Sequence, residues 1–222
     1  MVTAPYGGYA PDAHHAGTRT QKRIQKTGGM TVDSGAGMAP TLTETLSGYG
    51  GRTPAEAADL DRMAPLLELD NPWDRDIPLH FTGSALIVHP PSRRVLLRWH
   101  GRQGSWIQVG GHADPGETRP LDVAVREGVE ETGLGDLTPW PDAGLLHVVV
   151  VPVPASDREP AHEHADLRFV LATADPEAAR PEKPDAPLRW LSLPEARTAT
   201  GEENLRQTLD RLTELVDRAS AD

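Results

Sequence analysis

The segment from Gly110 to Leu134 constrains this chain more than any other. It reads GGHADPGETRPLDVAVREGVEETGL: a glycine pair, a turn, then a stretch with Glu127, Glu130 and Glu131 in its last two turns. Pro120 suits a first helical position and Gly133 suits a left-handed cap, so a helix is expected from about Leu121 to Thr132. Carboxylates at i, i+3 and i+4 share one helical face, where like charges repel. They also sit near the helix C-terminus, where the dipole disfavours anions. The arrangement is poor for stability alone and good for holding a divalent cation. At about 100° per residue, Leu121, Ala124, Val125, Gly128 and Thr132 form the opposite, packing side. Gly128 costs about 1 kcal/mol against alanine, which is expected to reflect close approach of another backbone. Arg126 lies one turn before Glu130 and is expected to pair with it.

The 222 residues suffice for one domain with a sizeable core and extra segments. A formal net charge of -11 argues against a general nucleic-acid binder, which needs a basic face. It does not exclude a nucleotide, because a bound metal reverses the sign of a local site. The absence of cysteine excludes disulfides, thiolate catalysis and cysteine-ligated zinc. It fits a cytoplasmic location. No apolar run approaches the roughly 20 residues of a membrane span, and the N-terminus is read as lacking a secretory signal.

Residues 1–40 are rich in Gly, Ala, Thr, Pro and His and are expected to be disordered. His14 and His15 read as exposed passengers of that tail, and Met30 and Met38 leave the start codon open. Residues 41–71 read as a helical extension. Thr53-Pro54-Ala55-Glu56 is a capping-box pattern, and Leu60, Met63, Leu67 and Ala57 offer an apolar face. The main domain is expected over 72–222. Strands are expected at Phe81–His89 and Arg94–Trp99, joined at Pro90-Pro91-Ser92, then at Trp106–Val109, Leu145–Val153, Leu167–Thr173 and Leu188–Leu193. An amphipathic helix over Glu202–Arg218 closes the chain, and the mixture points to layered α/β architecture.

The spaced residues Gly111, Glu117, Arg126, Glu127, Glu130, Glu131, Gly133 and Leu134 closely resemble the Nudix box. Two departures stand out: one extra residue between Glu117 and Arg126, and Gly128 in place of an aliphatic residue. The insertion falls at Thr118-Arg119-Pro120, where a loop can absorb it. Weaker likeness extends over roughly 75–195. The resemblance implies a Nudix-type α/β/α sandwich with a mixed β-sheet, and a hydrolase acting on a nucleoside diphosphate linked to another moiety. It implies Glu127 and Glu131 as main metal ligands, with the Gly110 carbonyl completing a metal shell. Glu130 would be a further ligand or help to activate water, Glu117 would support a second metal or its waters, and Arg126 would orient the carboxylates. The implied cofactor is Mg2+, with Mn2+ an alternative. The expected partner is a small-molecule nucleotide or diphosphate, with neither nucleic acid nor membrane; a homodimer is left open.

A second constellation runs through residues 160–169. His162, His164, Asp166 and Arg168 alternate, so a strand puts them on one face. That face is either a solvated sheet surface or a substrate or extra-metal surface near the box. Glu163 is a candidate additional acidic ligand or base. His112 is either a substrate-binding residue or a turn residue. His147 and Trp106 read as structural.

Two other functions compete. Isoprenoid diphosphate isomerases share the fold, but their familiar chemistry uses a cysteine that this chain lacks. A non-catalytic nucleotide-sensing domain typically loses the box carboxylates, all of which are present.

Overall fold

The computed structural model describes residues 39–157 and 159–221; the expected disordered tail lies almost wholly outside the described residues. Helix α1 spans Leu42–Ser47 and α2 Pro54–Met63. Strands β1 (Leu79–His89), β2 (Arg94–His100), β3 (Ser105–Ile107) and β4 (Val109–Gly111) lead into α3 (Pro120–Thr132). Then come β5 (Thr138–Pro139), β6 (His147–Val153), β7 (His162–Ala172), β8 (Leu188–Ser192), α4 (Leu193–Ala199) and α5 (Glu203–Ala219).

The eight strands form one mixed sheet. Strand β1 pairs parallel with β7 and antiparallel with β2 and β4. Strand β7 also pairs antiparallel with β5 and β6, and β2 with β3 and β8. Side chains alternate across a strand. On β1, Phe81, Ala85 and Ile87 therefore pack in one core with Leu121, Val123 and Ala124 of α3. Leu86 and Val88 pack in a second core with Leu205, Leu209, Leu212 and Val216 of α5. Helices on both faces of a mixed sheet make an α/β/α sandwich. Among the described residues, no helix is long and apolar enough to cross a membrane.

The second face of the sheet is divided. Its apolar half lies under α5. Its other half carries His80, Thr82 and Ser84 on β1 beside His164, Asp166 and Arg168 on β7, which are their register partners. Thr82, Ser84, His164, Asp166 and Arg168 of this polar half line a cleft, with Asn204 of α5 beside them.

Several local expectations change. The strand expected over 106–109 breaks at Gln108 into β3 and β4, because its halves pair with different strands. Strand β7 starts at His162 rather than Leu167. On α2, Met63 is buried and Leu60 partly buried, but Ala57 is exposed and Glu56 takes a buried position; Leu67, partly buried, lies beyond α2 in the 3-10 turn Ala64–Glu68. Thr53 caps α2 by accepting from the Glu56 N–H at 3.2 Å. The reciprocal half of the expected capping box is missing, because the Glu56 carboxylate turns to the Arg52 N–H and to Arg211. Gly128 faces Leu137, whose Cδ1 would lie 2.9 Å from an added Cβ. Its close neighbour is thus a side chain and not the backbone expected.

Candidate metal and substrate site

Helix α3 places its carboxylates against the Gly110–Gly111 strand. The Gly110 N–H donates to Glu131 Oε2 at 3.1 Å. Gly110 has φ +150°, and a Cβ there would lie 2.6 Å from the Ser84 Cα, so only glycine fits. At Gly111 an added Cβ would meet Glu127 Oε1 at 2.5 Å. Bare backbone thus lets both carboxylates lie directly against β4.

Arg126 occupies the centre of the group. Its Nε donates to both oxygens of Glu117 at 2.9 and 3.1 Å. Its Nη1 donates to Glu127 and Glu130, each at 3.0 Å. Its Nη2 donates to the His112 carbonyl at 2.7 Å and to Glu117 at 3.0 Å. The loop after Glu117 therefore absorbs the extra residue, and Glu117, also held by the Asp114 N–H, still reaches the helix. Glu130 differs from the other acids: its side chain is 55% exposed.

Burial separates the carboxylates electrostatically. It pushes Glu131 up to about 7, against the opposing charge of Arg98 and the Gly110 N–H. It raises Glu127 as well, against the pull of Arg126. Burial also acts to raise Glu117, but hydrogen bonds from Arg126 and Asp114 outweigh it and leave that carboxyl lowered. Half-buried anions with raised pKa values and all-oxygen donors fit a hard divalent cation, which stabilises their ionised forms.

A cleft of about 240 Å³ opens beside this group. Gly110, His112, Glu131, His164 and Arg168, all singled out by sequence, line it. Arg168 is almost fully buried. Its Nε donates to Asp166 at 2.8 Å, and its Nη atoms donate to Asn204 and Thr208. It supports the wall, and its charge is already matched. Arg98, which sequence reasoning missed, also lines the cleft; its Nη1 lies 3.3 Å from Glu131, and its buried Nε has no partner among the described residues. Asp166 accepts from Thr82, Ser84 and Gln108 as well as from Arg168.

At one end of the cleft four imidazoles meet. His162 and His164 were visible in the alternation of β7, whereas His80 was not singled out. Ring nitrogens of His80 and His112 lie 3.1 Å apart, as do those of His162 and His164. Burial lowers His80, takes His112 down to about 3 and, against Asp166, His164 down to about 4. Glu163, on the alternate face of β7, pairs with Arg62 and stands outside this group. His147 is buried against Thr208. Trp106 packs edge-on to Trp99 with Arg189 over its ring.

This architecture and site place the chain in a known class. Residues 79–212 match the NUDIX domain model, and the chain belongs to the Nudix family. A curated relative, a "Probable DHNTP pyrophosphohydrolase" from Lactococcus lactis subsp. cremoris, is 31% identical over 111 residues, covering 48% of this chain. The match spans 61% of that relative's own length. A Nudix-family hydrolase from Clostridium perfringens is 25% identical, with a TM-score of 0.49, over 63% of this chain and 97% of its own. A Caenorhabditis elegans Ap4A hydrolase complex is 17% identical, with a TM-score of 0.50, over 62% and 97%. That last likeness concerns the fold alone. Nudix enzymes generally use divalent metals and act on small nucleotide or diphosphate substrates.

Proposed function

We propose that this chain is a divalent-metal-dependent hydrolase. It cleaves a diphosphate linkage in a nucleoside diphosphate derivative or related organic pyrophosphate by water attack at phosphorus. The observation that carries this reading is the seating of Glu127 and Glu131 directly against the side-chain-free backbone of Gly110 and Gly111. That seating sets two carboxylates against β4 beside the cleft, where Gly110 and Glu131 form part of the lining.

Glu127, Glu131 and the Gly110 carbonyl would hold Mg2+ or Mn2+. When bound, such ions neutralise the diphosphate and acidify the attacking water. Arg126 fixes the rotamers of Glu117, Glu127 and Glu130 through its fork of donors. Glu130, more exposed than its neighbours, would add a ligand or accept a proton. Glu117 anchors the loop and supports a second ion or its waters. Arg98, which lines the cleft beside Glu131, would bring its guanidinium charge to a phosphate oxygen. His112 and His164 wall the far end, and Arg168 holds Asp166 in place. Substitution at phosphorus depends mainly on such positioning and charge stabilisation.

The test is a panel of nucleoside di- and triphosphates, dinucleoside polyphosphates and DHNTP, incubated with magnesium or manganese. Phosphate and pyrophosphate release and product masses are read. DHNTP belongs in the panel because of the relative's name. Turnover of at least one compound, with loss of roughly 100-fold or more in Glu131→Gln at unchanged fold, is expected. Full activity in that variant would show that the site has been misassigned.

A further inference from the structure

We propose that His80, His112, His162 and His164 form a closed, tetrahedral site for a zinc-class transition-metal ion at one end of the cleft, distinct from the carboxylate group on α3.

The four residues come from three separate places that the sheet brings together. His80 on β1 is the direct register partner of His164 on β7. His162 lies two residues earlier on the same face of β7. His112 follows β4, which pairs with β1. One ring nitrogen from each residue can be chosen so that all four lie within 4.8 Å of one another. Zinc–nitrogen bonds of about 2.0–2.1 Å set tetrahedral edges of about 3.4 Å. Two Nε2 pairs already lie 3.1 Å apart, and the other separations, up to 4.8 Å, would contract around an ion. Ring centroids of neighbouring imidazoles lie 4.8 to 5.4 Å apart.

The far sides of two rings are already fixed. His80 Nδ1 donates to the Ile77 carbonyl at 2.8 Å, and His162 Nδ1 donates to the Pro160 carbonyl at 3.0 Å. These bonds set the tautomer in which Nε2 carries a lone pair directed into the cluster. Metal-bound histidines are oriented by the same kind of backbone contact. A solvated polar face would aim its rings at water, whereas these aim nitrogen at nitrogen.

Ligand chemistry separates this site from the carboxylates. Imidazole nitrogen suits zinc, copper, nickel or iron, while magnesium and calcium take oxygen. Four protein ligands leave no open position, which marks a structural ion. Asp166, the next residue on this face of β7, supplies nearby negative charge. The ion would clamp β1, β7 and the start of the box loop. It would thereby fix the His112 carbonyl, which accepts from Arg126 at 2.7 Å.

The test uses untagged full-length chain stripped by chelator and titrated with Co2+, then Zn2+, in excess Mg2+. About one equivalent of Co2+ is expected to give the intense visible bands of tetrahedral coordination, and zinc is expected to displace it. Zinc should also raise Tm, because it binds the folded state. His162→Gln and His164→Gln are expected to weaken binding by at least roughly tenfold, with folding checked by circular dichroism. Glu131→Gln should keep the site intact, which separates failure of this proposal from failure of the hydrolase reading. Absence of the tetrahedral spectrum in the wild type overturns the proposal whatever the variants do. Equal binding by folded His162→Gln and wild type overturns it too.

Discussion

The carboxylate of Glu127 lies so close to Gly111 that a β-carbon at residue 111 would sit 2.5 Å from Oε1. The carboxylate is the end of a flexible side chain and can move away. Gly111→Ala should therefore cost little stability, within about 1 kcal/mol, yet displace a metal ligand. Its turnover is expected to fall by roughly 100-fold. Gly110→Ala is different, because its Cβ would meet the Ser84 Cα at 2.6 Å with φ at +150°. Backbone must shift there, at a cost of about 1–3 kcal/mol. Urea unfolding beside kcat for both variants checks the contrast. Full turnover in Gly111→Ala would remove the functional meaning of that contact.

Glu131 predicts how the metal-free protein responds to pH. Its carboxyl is pushed from 4.5 to about 7, so between those values the folded chain keeps a proton that the unfolded chain releases. Stability from this group is present below pH 4.5 and declines as pH rises toward 7, by about 3 kcal/mol at most. Glu131→Gln removes the dependence. The variant should gain on the wild type between pH 5 and 8 in chelator, and magnesium at pH 8 should favour only the wild type. His80, His112, His147 and His164 act in the opposite sense: their depressed pKa values lose stability as pH falls below 6.5. That contribution is common to both proteins and cancels in the difference. Chelator-treated urea melts at pH 5 and 8 decide the matter; an unchanged difference would contradict the assigned burial effect.

The elements that were legible in sequence are those set by local pattern. Helix α3, its Gly133 cap, and strands β1 and β2 follow from periodicity and turn residues. His162, His164 and Asp166 were legible as one face because alternation is local too. His80 was not, because its relation to His164 is a parallel register across 84 positions. Arg98 was hidden for the same reason: its partner Glu131 lies on a different element. The break at Gln108 arises from two strand pairings that its neighbours do not encode. The burial of Glu56 depends on Arg211, 155 residues further on.

Arg126 uses all its nitrogens in one plane, reaching three carboxylates and a carbonyl. A lysine ammonium is a point charge with three donors and cannot span that set. Arg126→Lys should lower kcat by about 10- to 100-fold, with a smaller change in KM, because it disturbs the orientation of ligands. A loss of about 1–3 kcal/mol in stability should accompany it. Steady-state kinetics at saturating magnesium give the split. A change confined to KM would point to substrate contact and not to positioning.

The Glu56–Arg211 pair ties α2 to α5. Arg211 donates to both Glu56 oxygens, at 2.7 and 2.8 Å, and the Tyr49 hydroxyl also donates to Glu56. The Glu56 side chain is 1% exposed. Burial acts to raise its pKa, but the Arg211 and Tyr49 hydrogen bonds outweigh that and hold it at about 2. Its stabilisation is therefore present above pH 4.5 and lost as pH falls toward 2. Removing one partner strands the other in a low-dielectric site, so Glu56→Ala should cost about 3–5 kcal/mol. Replacing both, as Glu56→Leu with Arg211→Met, should recover most of that loss, since well-packed apolar residues often match a buried ion pair. Thermal melts of Glu56→Leu, Arg211→Met and the double give the coupling. Additive losses would mean that the two residues act independently.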